Sequence, residues 1–237
     1  MMNTEVNASS DGIDSAASHG TITRSLGDRR SFLKSALVGS GASAMAAAAS
    51  HPAHAASTPN TVPALYPGWN AMNFSNIRKD ENAHVGFLVN ALGPMARPKP
   101  TFRNLIQPTA RAFANVSRVL ENVGVGAYLG ALPAIQSKSY MAAAASIALI
   151  EARHAGYLNT LLNIRVSENI HSDEPSLEEA LTPDEVVELA GSFFVSLNGG
   201  PPLLPLTSDI DILNFALALE FLEAEFYNLN VPRFLHV

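Results

Sequence analysis

The chain contains no cysteine, which removes disulfides, thiolate metal sites and cysteine nucleophiles from consideration. Aromatic residues are scarce at 7%, and runs that alternate apolar and polar residues are hard to find. Strands therefore have little to form on, and helix is the favoured element. No basic cluster offsets the formal charge of −6, a balance that argues against nucleic acid as a partner. A membrane-spanning run is missing too. The weakly apolar stretch at 35–49 is short and diluted by Gly39, Gly41 and several serines, so it does not read as an anchor. What is present is 237 residues, 47% of them hydrophobic and many of them alanine, enough for one domain with a substantial core.

Residues 1–55 read as a targeting segment rather than as part of the fold. A polar leader ends in Asp28-Arg29-Arg30-Ser31-Phe32-Leu33-Lys34, the weak apolar run follows, and Ala53-His54-Ala55 offers small residues where a signal peptidase reads them. The pattern resembles a twin-arginine export signal. That resemblance implies a disordered leader, a periplasmic or secreted protein, no integral membrane segment after signal removal, and export of an already folded chain. Metal would then be chosen in the cytoplasm, away from competing copper and zinc. Residues 56–70 read as a linker broken by Pro59, Pro63 and Pro67-Gly68.

The remaining residues, 71–237, divide into helices. A first helix is expected over 71–92, stopped by Gly93-Pro94, and an extended crossover leads from it to Pro108. The second, over 109–132, carries Gly124, Gly126 and Gly130. Helical glycines each cost roughly 1 kcal/mol relative to alanine, so their presence calls for another backbone or a bound group close by. The third spans 138–164. An extension over 165–207 contains a short helix that opens with Thr182-Pro183-Asp184-Glu185, a cap, a proline and two acids in the first turn. The last helix is capped by Ser208 and Asp209 and runs through Tyr227, with Pro232 expected to limit it.

Two of these helices carry the same four-residue motif, Glu81-Asn82-Ala83-His84 and Glu151-Ala152-Arg153-His154. Positions i and i+3 share a helix face, so each pair aims a carboxylate and an imidazole at one point. The other two helices each place a single acid, Glu121 or Glu220, on or beside an apolar stripe. Two Glu-x-x-His helices and two single-Glu helices form the ligand set of di-metal carboxylate bundles. Four carboxylates facing one core also need compensation, because an unpaired buried carboxylate costs several kcal/mol. Glu81, His84, Glu121, Glu151, His154 and Glu220 are therefore the candidate metal ligands, with each His on one ion and one Glu of each pair bridging. The oxygen and nitrogen donors suit two Fe or Mn ions. Glu223 and Glu225 read as a solvated face or as acids just behind the ligands. Tyr128, Tyr140, Tyr157 and Tyr227 read as core or hydrogen-bonding residues, His171 and His236 as bystanders, and Arg153 as pointing to another face.

The stretch Asp211-Ile212-Leu213-Asn214-Phe215-Ala216-Leu217-Ala218-Leu219-Glu220-Phe221-Leu222-Glu223-Ala224-Glu225-Phe226-Tyr227 resembles the first helix of the desiccation-related ferritin-like proteins. Residues 121–131 resemble their third helix, 142–158 their fourth, and 177–205 the extension that follows it. The resemblance implies an all-α, ferritin-like four-helix bundle, exported and linked to desiccation or oxidative stress. A di-iron or di-manganese site of that kind can use O2 or peroxide as substrate, in oxidase, peroxidase or catalase-like chemistry. The alternative is a non-catalytic, structural stress-protection protein. One departure stands out: the helix that comes first in that family comes last here. The order implies either a circular permutation or a helix swapped into a neighbour within a homo-oligomer.

Overall fold

Each long helix starts where a side chain satisfies its first free amide. In the computed structural model, which describes residues 62–171 and 176–236, Thr109 caps α2 (Ala110–Ala131), Ser137 caps α3 (Lys138–Leu161) and Ser208 caps α5 (Asp209–Leu235). Each accepts from the amide three residues on, which answers donors that the helix itself leaves unpaired. The first helix, α1 (Trp69–Leu92), ends at Gly93, whose φ of 53° continues the chain through the left-handed region that glycine tolerates. A short helix, α4 (Pro183–Ala190), opens with a reciprocal cap between Thr182 and Glu185. The leader assigned to 1–55 and residues 56–61 of the linker lie outside the described residues. No helix among the described residues is long and apolar enough to cross a membrane.

The four long helices form an all-α bundle in which α1 packs chiefly against α5 and α2 against α3. The scarce aromatics gather at one end, where Phe113 meets Phe74, Phe226, Tyr227 and Phe234 with ring centroids 4.8 to 5.8 Å apart. Two smaller apolar clusters lie towards the other end, one around Tyr128, Ile147 and Ile212 and one around Leu88, Leu92, Leu213 and Leu217. A two-stranded ribbon, β1 (Thr101–Phe102) with β2 (Phe194–Ser196), joins the crossover to the extension. Such short strands carry no alternating pattern long enough to be seen in the sequence.

The last helix docks in its own chain. Buried Asn214 accepts from the Arg97 amide at 2.7 Å and donates to the Met95 carbonyl at 2.9 Å. Four turns on, Asn230 accepts from the Gln107 amide and donates to the Leu105 carbonyl, both at 2.9 Å. Both ends of the crossover are thus tied to α5. The expectation that Pro232 would limit this helix was wrong, because α5 continues through it to Leu235. Pro232 faces solvent, whereas Val231 is buried beside it. The hydrogen bond that proline cannot make is lost on the wet side, and Phe234 stacks on Phe113 to hold the last turn.

The extension explains two of the three α2 glycines. Its backbone crosses α2 so closely that a Cβ at Gly130 would stand 2.0 Å from the Leu181 carbonyl oxygen, and one at Gly126 would stand 2.6 Å from Leu181 Cγ. The Leu181 amide donates to the Gly126 carbonyl at 2.9 Å. Gly130→Ala forces a backbone to move and should destabilise by roughly 1–3 kcal/mol. Gly86→Ala, at a helical glycine with nothing within 4 Å of the added carbon, should stabilise by up to about 1 kcal/mol. Urea denaturation of the two variants should show opposite shifts of the midpoint.

Candidate metal centre

The six side chains singled out by spacing converge on one buried point midway along the bundle. Each comes from a helix whose face is set by the apolar residues around it: Glu81 and His84 from α1, Glu121 from α2, Glu151 and His154 from α3, Glu220 from α5. They form two groups whose potential ligand atoms all lie within 4.8 Å of one another. One is Glu81, Glu121, Glu151 and His154, and the other is Glu81, His84, Glu151 and Glu220. Glu81 and Glu151 belong to both, so the two groups adjoin through one carboxylate from each Glu-x-x-His helix.

Both imidazoles turn Nδ1 inwards. His84 Nδ1 lies 3.2 Å from Glu81, 3.1 Å from Glu151 and 3.3 Å from Glu220. His154 Nδ1 lies 3.0 Å from Glu81 and 3.1 Å from Glu121. On its outer side His154 places Nε2 3.1 Å from Asp80 Oδ2. A carboxylate there fixes the ring and, with a metal bound, would hold the proton on Nε2 and leave Nδ1 as the inward ligand atom. On α3 the corresponding residue, one before Glu151, is Ile150, which offers His84 no such partner.

Two tyrosines hold the single acids. Tyr128 on α2 donates to Glu220 Oε1 at 2.5 Å, and Tyr227 on α5 donates to Glu121 Oε1. Each tyrosine follows the acid of its own helix by seven residues and bonds the acid of the other helix. That crossed arrangement was legible as a repeated Glu-x6-Tyr spacing, two helical turns on one face, yet the sequence reading did not extract it. Tyr140 and Tyr157 lie elsewhere, donating to the Ala91 carbonyl and to Asn70.

Electrostatically the site is crowded. Burial, reinforced by Glu151, pushes the Glu81 carboxyl up to about 7 despite both imidazoles. Burial likewise raises Glu121 and carries Glu151 well above the ordinary carboxylate range. Burial alone would depress the imidazoles, but Glu121 and Glu81 hold His154 up at about 12, and Glu151, Glu220 and Glu81 raise His84 as well. Carboxyls and imidazoles thus share protons in a space that strongly disfavours net negative charge. Glu151 Oε2 has no hydrogen-bond partner, and Glu151 Oε1 and Glu220 Oε2 have only the shared Nδ1 of His84 beside them. Buried oxygens without donors, beside imidazole nitrogens, fit hard divalent cations.

The other candidates fall outside the two groups. Glu225 pairs with Lys99 at 2.5 Å on the surface, Arg153 and His236 are exposed, and His171 lies half-buried in the extension. Glu223 is not on a solvated face: it is buried, one turn after Glu220, and burial together with Glu151 raises its carboxyl well above the usual range.

Residues 28–164 and 208–235 match the ferritin-like domain family. Neither the curated proteins nor the solved structures yield a match. The match passes over residues 165–207, the segment that lies across α2 and contributes nothing to the two groups. Fold and match divide the chain at the same place, and the chain belongs to the ferritin-like domain family.

Proposed function

We propose that the protein is an exported di-metal carboxylate protein, with two Fe or Mn ions held by Glu81, His84, Glu121, Glu151, His154 and Glu220. The observation that carries this reading is the pair of four-residue groups sharing Glu81 and Glu151. His154 with Glu121 would serve one ion, His84 with Glu220 the other, and the two shared carboxylates both. When bound, such ions supply redox chemistry towards O2 or peroxide. The chain's own part is to keep the site dry, to hold Glu121 and Glu220 through Tyr227 and Tyr128, and to fix His154 through Asp80. Export by the twin-arginine route, a role in desiccation or oxidative stress, and a circularly permuted helix order complete the proposal. The docking of α5 through Asn214 and Asn230 favours permutation over a swapped helix.

Metal analysis of the full-length protein from its native export route should find two Fe or Mn ions per chain. Glu151→Ala and His154→Ala should each remove at least one. Less than one ion per chain, unchanged by either substitution, would overturn the reading. Asp80→Asn, which leaves the donor atoms in place, should weaken metal binding by roughly 10–100-fold, read by competition with a chelating dye.

The pH dependence has a defined sign. A carboxyl whose folded pKa exceeds its unfolded value stabilises the fold while protonated. The contribution of Glu81 is therefore whole below 4.5 and lost as pH rises through about 7. His154, held up at about 12, contributes in the same direction, whole below 6.5 and lost only as pH climbs towards 12. Chelator-stripped protein should therefore lose stability between about pH 5 and pH 8, and Glu81→Gln should flatten that fall. Bound metal displaces these protons, so its stabilising effect should grow across the same range. Melting temperatures of stripped and loaded protein over that range measure both trends.

A further inference from the structure

A row of aromatic rings leads from the candidate metal centre to the surface. Its inner end is the buried Tyr227, whose hydroxyl donates to Glu121 Oε1. From Tyr227 the ring centroids step 6.5 Å to Phe74, 5.6 Å on to Tyr157, 6.3 Å to Trp69 and 5.1 Å to Tyr66. Phe113 spans the first step a second way, 5.8 Å from Tyr227 and 4.8 Å from Phe74. Burial falls along the row. Tyr227 and Phe74 lie in the core, Tyr157 and Trp69 are half-buried, and Tyr66 is 49% exposed. Core packing accounts for the inner rings. It does not account for the outer three, which leave the core and are all of the two aromatic types that give up an electron most readily. In a chain with 7% aromatic residues and a single tryptophan, the one indole stands in this row.

Oxidising a phenol to its radical releases the hydroxyl proton, so a tyrosine relay needs an acceptor within hydrogen-bond reach. Tyr227 has one in Glu121 Oε1. Tyr157 donates to Asn70 Oδ1 at 3.0 Å, and an amide oxygen takes up a proton poorly, which makes Tyr157 a brief step. Indole can lose an electron and keep its proton, so Trp69 is the stable stop near the surface. We propose that Tyr66, Trp69, Tyr157 and Tyr227 conduct single electrons from the surface to the metal pair, with Phe74 as the packed bridge between the last two. The proposal rests on the di-metal reading of the six ligands. A one-electron donor of the phenol or enediol class gives up an electron at Tyr66 and its proton to water. Each ring reduces its inner neighbour and is restored by its outer one. The proton that Tyr227 lends to Glu121 returns, and one metal ion previously oxidised by peroxide falls by one oxidation state. No ring is consumed. An oxidising equivalent left without a substrate is thereby discharged at the surface instead of in the core.

Two measurements test the relay, the first of them without metal. In chelator-stripped full-length protein, azide radicals from pulse radiolysis oxidise tryptophan preferentially, and Trp69 is the only one. With Tyr66→Phe closing the outward route, the tryptophan radical band should decay into a tyrosyl band at a rate independent of protein concentration. Adding Tyr157→Phe, which keeps the ring, should slow that decay at least tenfold. Adding Tyr140→Phe, outside the row, should leave it unchanged. For the second measurement, protein carrying ring-deuterated tryptophan is loaded with Fe(II), mixed with hydrogen peroxide and frozen. Its electron paramagnetic resonance spectrum should contain a radical signal narrowed by the deuterium, and Tyr157→Phe should cut that signal at least tenfold with iron content unchanged. Decay that ignores Tyr157→Phe, or iron-loaded wild type without a deuterium-sensitive signal, overturns the relay and leaves the ligand assignment standing. Wild type that takes up no iron overturns both.

Discussion

Burying five carboxylates and two imidazoles within one apolar core is the constraint to which the rest of the bundle answers. Charges taken out of water cost several kcal/mol each unless something compensates them, and here they sit between aromatic packing at one end and aliphatic packing at the other. Every nearby feature reduces that cost or keeps the groups in register. The tyrosines place their hydroxyls on the two acids that lack a histidine neighbour in sequence, Asp80 braces one imidazole, and Gly124 withholds a side chain where carboxylates converge. A cluster assembled this way has little freedom to rearrange, because its acids are held from four different helices.

The arrangement has an approximate internal two-fold character. Two helices carry Glu-x-x-His and two carry Glu-x6-Tyr, and each tyrosine crosses to the opposite acid. The departures from that symmetry are where the halves acquire different chemistry. Asp80 braces His154, while the equivalent position on α3 is Ile150, which offers His84 no carboxylate. Glu223 adds charge beside Glu220, while Gly124 leaves space beside Glu121. Two ions bound here would therefore experience different surroundings even though their protein donors are the same in kind.

Much of this was legible in the sequence because it rests on local periodicity. Helical faces follow from a 3.6-residue repeat, so the positions of Glu81, His84, Glu151 and His154 could be read from spacing, as could the caps at Thr182 and Ser208. The glycines of α2 announced a close approach without saying what approached, since the Leu181 backbone comes from a segment about fifty residues away that only tertiary structure brings near. Glu223 stayed undecided between a solvated face and an acid behind the ligands for a related reason. An acid one turn from another on a helix suits a solvent face equally well, and only the packing of α5 against three neighbours decides. Pro232 misled because the cost of proline in a helix depends on whether the lost hydrogen bond faces solvent, a property of orientation and not of composition.

The pairing of α1 with α5 also says something about how the molecule comes together. Arg78 bonds Asn228 across a sequence separation of 150, whereas α2 and α3 are neighbours joined by a short turn. Closing a loop over such a span costs more entropy than forming a local hairpin, so α2–α3 is the local half of the bundle and α1–α5 the long-range half. Without α5, the acids of the other three helices would face a half-open groove in contact with water, where their charges would cost little and their grip on a cation would be weak. The helix that closes the bundle is thus also the one that takes the centre out of water, so the dryness of the site depends on the longest-range pairing in the chain.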